Sequence, residues 1–276
     1  MRTIRLYSEQ PLAPGALITL EERPARHAQQ VLRLAAGAAL TLFNGDGRDY
    51  SGHIAAVRPG QVQVRIEAIG ADEPESPLQI SLGLGISRAE RMDFALQKAV
   101  ELGVAAITPL LCGRNLVRLS GPRLAKRQAH WQGIIIAACE QSGRCRLPTL
   151  GSVCALPDWL ATRPPGGLLL DPEATSALAT LPAPGPAVTL LVGPEGGLSP
   201  GERAAARAQG FTGVWLGPRI LRTETAPLAA IAVLQARWGD WRALPPAGST
   251  QHDHRQPLSV ATAAAAPRSS RRADRR

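Results

Sequence analysis

The sequence predicts an α/β protein in three parts. A small β-barrel covers residues 1–72, a domain of alternating strands and helices covers 76–244, and a disordered basic tail covers 245–276. Three observations carry this reading. In the first seventy or so residues the apolar positions alternate in short runs separated by turn signals, the mark of antiparallel strands. From Leu78 the strand period and the helical period take turns, which is the rhythm of a sheet with crossover helices. Late in the chain two glycine-bearing segments, Gly193 to Leu198 and Leu216 to Pro227, each fall where a strand ends and a helix begins. There an open α/β sheet presents main-chain amides and bare glycine surface to a ligand.

Taken in order, Ala39 to Phe43 is an apolar run followed by Asn44-Gly45-Asp46-Gly47, a hairpin signal. Tyr50 to Val57 and Val62 to Ile69 resume the alternation, and Arg58-Pro59-Gly60 turns the chain between them, so the expected barrel is antiparallel. Ala71 to Pro77 is polar and carries two prolines, as a linker does. Leu78, Ile80, Leu82, Leu84 and Ile86 then alternate as a strand. Met92, Ala95, Leu96, Ala99 and Val100 recur at helical spacing, with Gly103 as the stop. Ala105 to Leu111 reads as a strand, Leu124 to Cys139 as a helix, and Gly167 to Leu170 as a strand ending at Asp171-Pro172. Val188 to Val192 runs into the first glycine segment. Ser199-Pro200-Gly201-Glu202 has the form of a capping box with proline at the first helical position. Val214-Trp215-Leu216 leads into the second segment, and Thr225 to Trp238 is the last helix.

Composition narrows the function classes. A hydrophobic fraction of 45% against 19% charged residues is that of a globular protein, and no run reaches the roughly 18–20 apolar residues of a membrane span. Met1 to Glu9 lacks the apolar core of a signal peptide, so a cytoplasmic location is expected. Cys112, Cys139, Cys145 and Cys154 show neither C-x-x-C spacing nor histidines in a zinc pattern, so no metal is expected. Of the net charge of +9, the six arginines and two aspartates after Leu244 contribute +4. The remainder suits a nucleic-acid partner without demanding one.

Three segments carry chemistry. Gly193-Pro194-Glu195-Gly196-Gly197-Leu198 lacks the lysine and hydroxyl of a P-loop and the spacing of a dinucleotide fingerprint. Pro194 removes one amide donor and stiffens the turn, while Gly196 and Gly197 permit close approach by a ligand. In the second segment, Leu216-Gly217-Pro218 offers main chain beside apolar side chains, which suits an adenine face. Arg219 and Arg222 could reach phosphate or an ionised base. Thr223, Glu224 and Thr225 open the last helix. Glu224 is either a reacting carboxylate or an early-turn charge that complements the helix dipole. Finally, Cys139-Glu140-Gln141-Ser142-Gly143-Arg144 is either a helix exit with Gly143 as its stop or a way of bringing Arg144 to the same pocket.

Together with Leu96 to Gly103, these three segments resemble the 16S ribosomal RNA uridine N3-methyltransferase family of the SPOUT superfamily, over about residues 1–240. His27, Val31 to Leu34 and Leu42 to Gly45 are similar to the PUA-like RNA-binding barrel of that family. Cys139 departs from it, standing where a small or polar residue is usual. The resemblance implies a trefoil-knotted methyltransferase domain behind a PUA-like barrel, a homodimer with its site near the interface, and S-adenosyl-L-methionine (SAM) as methyl donor. By the same resemblance, SAM lies against Leu170, Asp171 and Pro172, then Val192, Gly193, Pro194, Glu195, Gly196 and Gly197. The remainder of that set is Leu216, Gly217, Ile220, Leu221, Thr223, Thr225 and Ala226. Arg222 is the expected stabiliser of an ionised uracil N3, with Arg144 second, from the same subunit or across the dimer, and Glu224 or water taking the proton. Arg2, Arg5, Arg26, Arg33 and Arg219 are candidates for RNA contacts, and the expected partner is 16S rRNA or the 30S subunit. Two alternatives stand beside this reading: methylation of a ribose 2′-hydroxyl, and a noncatalytic assembly factor, against which the intact glycine segments and Arg222 argue.

Overall fold

The computed structural model describes residues 4–115 and 121–242. Arg2 and the tail expected at 245–276 lie outside the described residues. The first sheet contains β1 (Arg5–Tyr7), β2 (Leu17–Thr19), β3 (Ala39–Phe43), β4 (Arg48–Arg58) and β5 (Gln61–Asp72), in the order β1-β3-β4-β5-β2. A short helix α1 (Glu22–Arg26) and a π-helical turn over His27–Val31 lie between β2 and β3. Tyr50 and Ile54 of β4 and Val62, Val64 and Ile66 of β5 point inward at every second position, onto Leu6 and Leu42. β3, β4, β5 and β2 pair antiparallel as expected, but β1 runs parallel to β3, with Arg5 opposite Thr41. Three residues are too few for alternation to show, so this strand was invisible in the sequence.

The second sheet is parallel throughout. It holds β6 (Gln79–Gly85), β7 (Ala106–Leu111), β8 (Thr149–Leu150), β9 (Cys154–Ala155), β10 (Gly167–Leu170), β11 (Ala187–Val192) and β12 (Phe211–Val214). Their order is β12-β10-β11-β6-β7-β8, with β9 also on β7. The helices are α2 (Ala89–Glu101), α3 (Gly121–Ser142), α4 (Leu156–Ala161), α5 (Pro200–Ala208) and α6 (Thr225–Trp238). Successive strand residues feed opposite faces, which explains why these strands are apolar without interruption. Leu168 and Leu190 pack with Met92 and Leu96 of α2, Trp131 and Ile135 of α3, and Ile231 and Leu234 of α6. Their neighbours Leu169 and Leu191 pack the other way, with Trp159 of α4, Ala206 of α5 and Phe211.

Two boundaries differ from the sequence reading. β12 ends at Val214 instead of running from Val214 to Leu216, because Trp215 leaves the ladder to donate its N–H to Ser176 (2.9 Å). α3 starts three residues earlier and ends three later than its apolar stripe, reaching Ser142. The capping box of α5 is formed: Glu202 donates its N–H to Ser199 Oγ (3.2 Å), and Ser199 donates its own to Glu202 Oε2 (2.8 Å).

Candidate active site

β12, β10 and β11 are neighbours and run parallel, so their C-terminal ends share one edge of the sheet and the loops leaving them converge. These loops line a cleft of about 530 Å³, a size suited to a small molecule. Leu169, Leu170, Val192, Leu198, Val214, Leu216, Leu221 and Ala226 make its wall apolar.

Each loop is fixed by a specific contact. Thr223 Oγ1 donates to Gly193 O at 2.9 Å, tying the third loop to the second. Asp171 N–H donates to Val214 O at 3.1 Å, tying the first to the third. The buried Asp171 carboxylate accepts from Arg207 (2.7 Å) and from Glu173 N–H (3.0 Å), which braces its loop against α5. Gly197 N–H closes a turn onto Pro194 O at 2.8 Å. Glu195 reaches back to accept Arg88 N–H (2.9 Å) at the start of α2 and pairs with Arg91 at 3.7 Å. On the outer side, Arg114 donates to Gly196 O (3.3 Å) and Gly113 N–H donates to Glu202 Oε1 (2.7 Å). Burial alone would raise the Glu202 carboxyl, but the N–H groups of Gly113 and Ser199 hold it below its ordinary value.

The cleft fits SAM on its own geometry. Gly197 and Gly217 both have positive φ, and nothing lies within 4 Å of where a Cβ would stand, so bare main chain faces open space at two points of the lining. Apolar walls with amides at their edges suit an adenine ring, and Glu195 Oε2 is a buried polar atom of the lining residues with no hydrogen-bond partner among the described residues.

Of the residues singled out in the sequence, the whole donor set lines the cleft except Thr225, whose side chain is exposed on α6. Ile220 is 82% exposed, so it offers the cleft main chain more than side chain. Arg219 and Arg222 stand exposed at the rim. Glu224 does not line the cleft, and its Oε2 is buried without a hydrogen-bond partner among the described residues. Arg144 is absent from the lining as well. Its guanidinium pairs with Glu75 and donates to Val100 O (3.1 Å) and Val104 O (2.9 Å), so it is held away from the cleft of its own chain, as the helix-exit reading of its segment has it. Arg5 is also reassigned: it is 9% exposed and pairs with Asp49, which leaves no face for RNA. Arg26 and Arg33 are exposed on the barrel. Sequence reasoning missed Arg91, Arg114 and Arg203, all of which line the cleft. They come from segments without a glycine motif, and only the strand order reveals them.

Asp49, Glu73 and Cys145 bring ligand-type atoms within 4.8 Å of one another. Burial pushes the Cys145 thiol up to about 12, and Arg5 bonds to both Cys145 and Asp49, so the cluster is a charge-paired joint and ill suited to a cation.

Comparison with known proteins agrees with this geometry. The RNA methyltransferase domain family matches residues 74–235, and the RNA methyltransferase PUA domain family matches 20–67. Ribosomal RNA small subunit methyltransferase E of Buchnera aphidicola is 34% identical over 244 residues, covering 87% of this chain and 98% of the relative. Its counterpart from Mycobacterium tuberculosis is 30% identical over 234 residues, covering 81% and 89%. A methyltransferase from Legionella pneumophila, solved in complex with SAM, superposes with a TM-score of 0.85 at 41% identity, over 87% of this chain and all of that one (100%). The Neisseria gonorrhoeae ribosomal RNA small subunit methyltransferase E, bound to S-adenosyl methionine, gives 0.83 at 40% identity over 87% and 100%. With a parallel sheet whose strand ends build a donor cleft, behind a PUA-like N-terminal domain, this chain belongs to the ribosomal RNA small subunit methyltransferase E family of RNA methyltransferases.

Proposed function

We propose that this protein methylates N3 of one uridine in 16S rRNA of the small ribosomal subunit, with SAM as donor. It acts in the cytoplasm as a homodimer whose catalytic domain carries a trefoil knot. One observation supports the chemistry above the rest. Five arginines line the cleft, and three are held by the protein: Arg91 by Glu195, Arg114 by Gly196 O and Arg203 by Glu173. Arg219 and Arg222 are the two whose guanidinium groups have no partner among the described residues, and both are exposed at the rim. Free guanidinium charge beside an apolar donor cleft suits a polyanionic substrate whose reacting base must ionise.

SAM supplies an already activated methyl group on a sulfonium, so the tasks left to the chain are to position the base and to favour loss of its N3 proton. Gly193 to Gly197 and Leu216 to Leu221 hold the donor by main chain and apolar contact. Arg222 faces the base and stabilises the negative charge that grows as the proton leaves, in the manner of an oxyanion site. Glu224 lies back from the wall, so the proton passes to water. Arg219 holds the RNA backbone beside it. An N3 atom lies on the Watson–Crick edge, so the uridine is unpaired when it reacts.

The test has two parts: titration of the protein with SAM by calorimetry, and nucleoside mass spectrometry of small-subunit rRNA from cells lacking the gene. Loss of 3-methyluridine supports the proposal. Loss of a 2′-O-methylated nucleoside would move the reaction to the ribose, and an unchanged nucleoside profile would overturn it.

A further inference from the structure

The segment 140–146, the last residues of α3 and the chain that leaves it, lines no part of the cleft. It stands between the barrel and the parallel sheet, and both sides grip it. On the sheet side, Arg144 pairs with Glu75 of the connecting segment and donates to the carbonyl of Val100 in the last turn of α2 and to that of Val104 in the turn that follows. On the barrel side, Arg5 of β1 pairs with Asp49 of β4 while donating to Arg144 O (3.3 Å) and Cys145 Sγ (3.5 Å). Glu140 Oε1 accepts Tyr7 N–H at 3.1 Å, and Arg146 pairs with Asp72 at 2.7 Å. The side chains of Arg5 and Arg144 are 5% and 12% exposed, so their charges are fixed by partners more than by water.

We infer that this seam is the device that registers an RNA between barrel and cleft, with Arg144 as a positioning residue that never touches the reacting base. The inference rests on the proposed rRNA methylation. The barrel exposes Arg26 and Arg33, and the cleft rim exposes Arg219 and Arg222, which makes two cationic surfaces on one chain. RNA held by one surface meets the other at an effective concentration set by the stiffness of the joint between them. Loosening the joint lowers that concentration and weakens RNA binding, while the step at the bound base proceeds as before.

Arg144→Gln and Glu75→Gln test this. For whole 16S rRNA, filter binding is expected to show a Kd about tenfold weaker, and steady-state kinetics a KM raised by a similar factor with kcat within twofold. The Kd for SAM stays unchanged. On a short single-stranded fragment that carries the target uridine and is too short to span both surfaces, kcat/KM equals that of the unaltered protein. Arg146→Gln, at the exposed end of the seam, is expected to weaken whole-rRNA binding two- to threefold and keeps the test valid if the buried variants fail to fold. A kcat that falls at constant KM would return Arg144 to the chemistry and overturn the inference. So would equal losses on fragment and whole RNA, or an unchanged rRNA Kd in the folded variants. Tight rRNA binding by the unaltered protein without methyl transfer would instead defeat the proposed function and leave the Kd comparison to judge the seam.

Discussion

What separates one arginine from another at this site is whether the protein already uses it. Arg91, Arg114 and Arg203 are anchored, and Arg222 is not. Removing one charge-stabilising donor from a reacting centre costs about 10²–10³ in rate. Arg222→Ala is therefore expected to slow single-turnover methylation of 16S rRNA by about that factor, while calorimetry finds SAM affinity unaltered. The same distinction explains why sequence alone could not choose between the two readings of Arg144. An arginine after a helix is visible, but the carboxylate that captures it lies 69 residues earlier, in the linker. Glu202 makes a second residue-scale case. Its two oxygens accept from two main-chain N–H groups, and a glutamine has only one oxygen to offer. Glu202→Gln is expected to cost about 1 kcal/mol at neutral pH. Because the folded carboxyl sits below its ordinary value, its stabilisation is present above the unfolded pKa of about 4.3 and is lost as pH falls through the folded one. The gap between variant and unaltered protein should thus close on acidification, where protonated Glu202 also keeps a single good acceptor. Thermal unfolding followed across pH checks this, and a gap that widens in acid would refute it.

At the scale of elements, the cleft depends on how closely β6 approaches the loop after β11. A Cβ at Gly85, the last residue of β6, would stand 2.8 Å from Gly193 C and collide with Pro194. The strand could retreat only by breaking its parallel pairing with β11, so the loop must move. Overpacking of this kind costs about 1–3 kcal/mol. Gly85→Ala is expected to lower the melting temperature and to weaken SAM binding about tenfold, although Gly85 does not itself line the cleft. Calorimetric titration decides it, and undiminished affinity would show that the loop tolerates displacement. The elements that build this site were legible where they are long. The stripe of α2 and the runs of β6 and β11 repeat their period often enough to be read, and α6 shows as a long apolar segment after the second glycine loop. β8 and β9 have two residues each and α4 has six, too few for any period to show. Strand order was beyond reach of periodicity altogether. Residues around Asp171, Gly193 and Leu216 meet because β10 sits between β11 and β12, a pairing of distant segments that local pattern does not encode. It was the resemblance that brought the three loops together, and the same missing order hid Arg91, Arg114 and Arg203.

For the whole molecule the governing quantity is the distribution of positive charge. The chain carries +9, of which +4 belongs to residues after Leu244, outside the compact unit Met1–Leu244 that contains the barrel and the cleft. Under the proposed function the exposed arginines of the N-terminal domain and the rim set where RNA binds, and the net charge beyond Leu244 adds to the attraction. Neutralising each RNA phosphate releases counterions, and for single strands the logarithm of the binding constant falls with the logarithm of salt by about 0.7 per phosphate. If all four net charges of the tail engage phosphate, a chain ending at Leu244 should show a salt slope shallower by about 3 and weaker binding at low salt. Its kcat at saturating rRNA should match that of the full chain, since no residue of the cleft is lost. Filter binding across a range of potassium concentrations measures the slope, and methyl incorporation measures the rate. An unchanged slope would mean that the basic tail stays off the RNA. A fallen kcat would mean that catalysis needs residues beyond the unit in which the cleft is built.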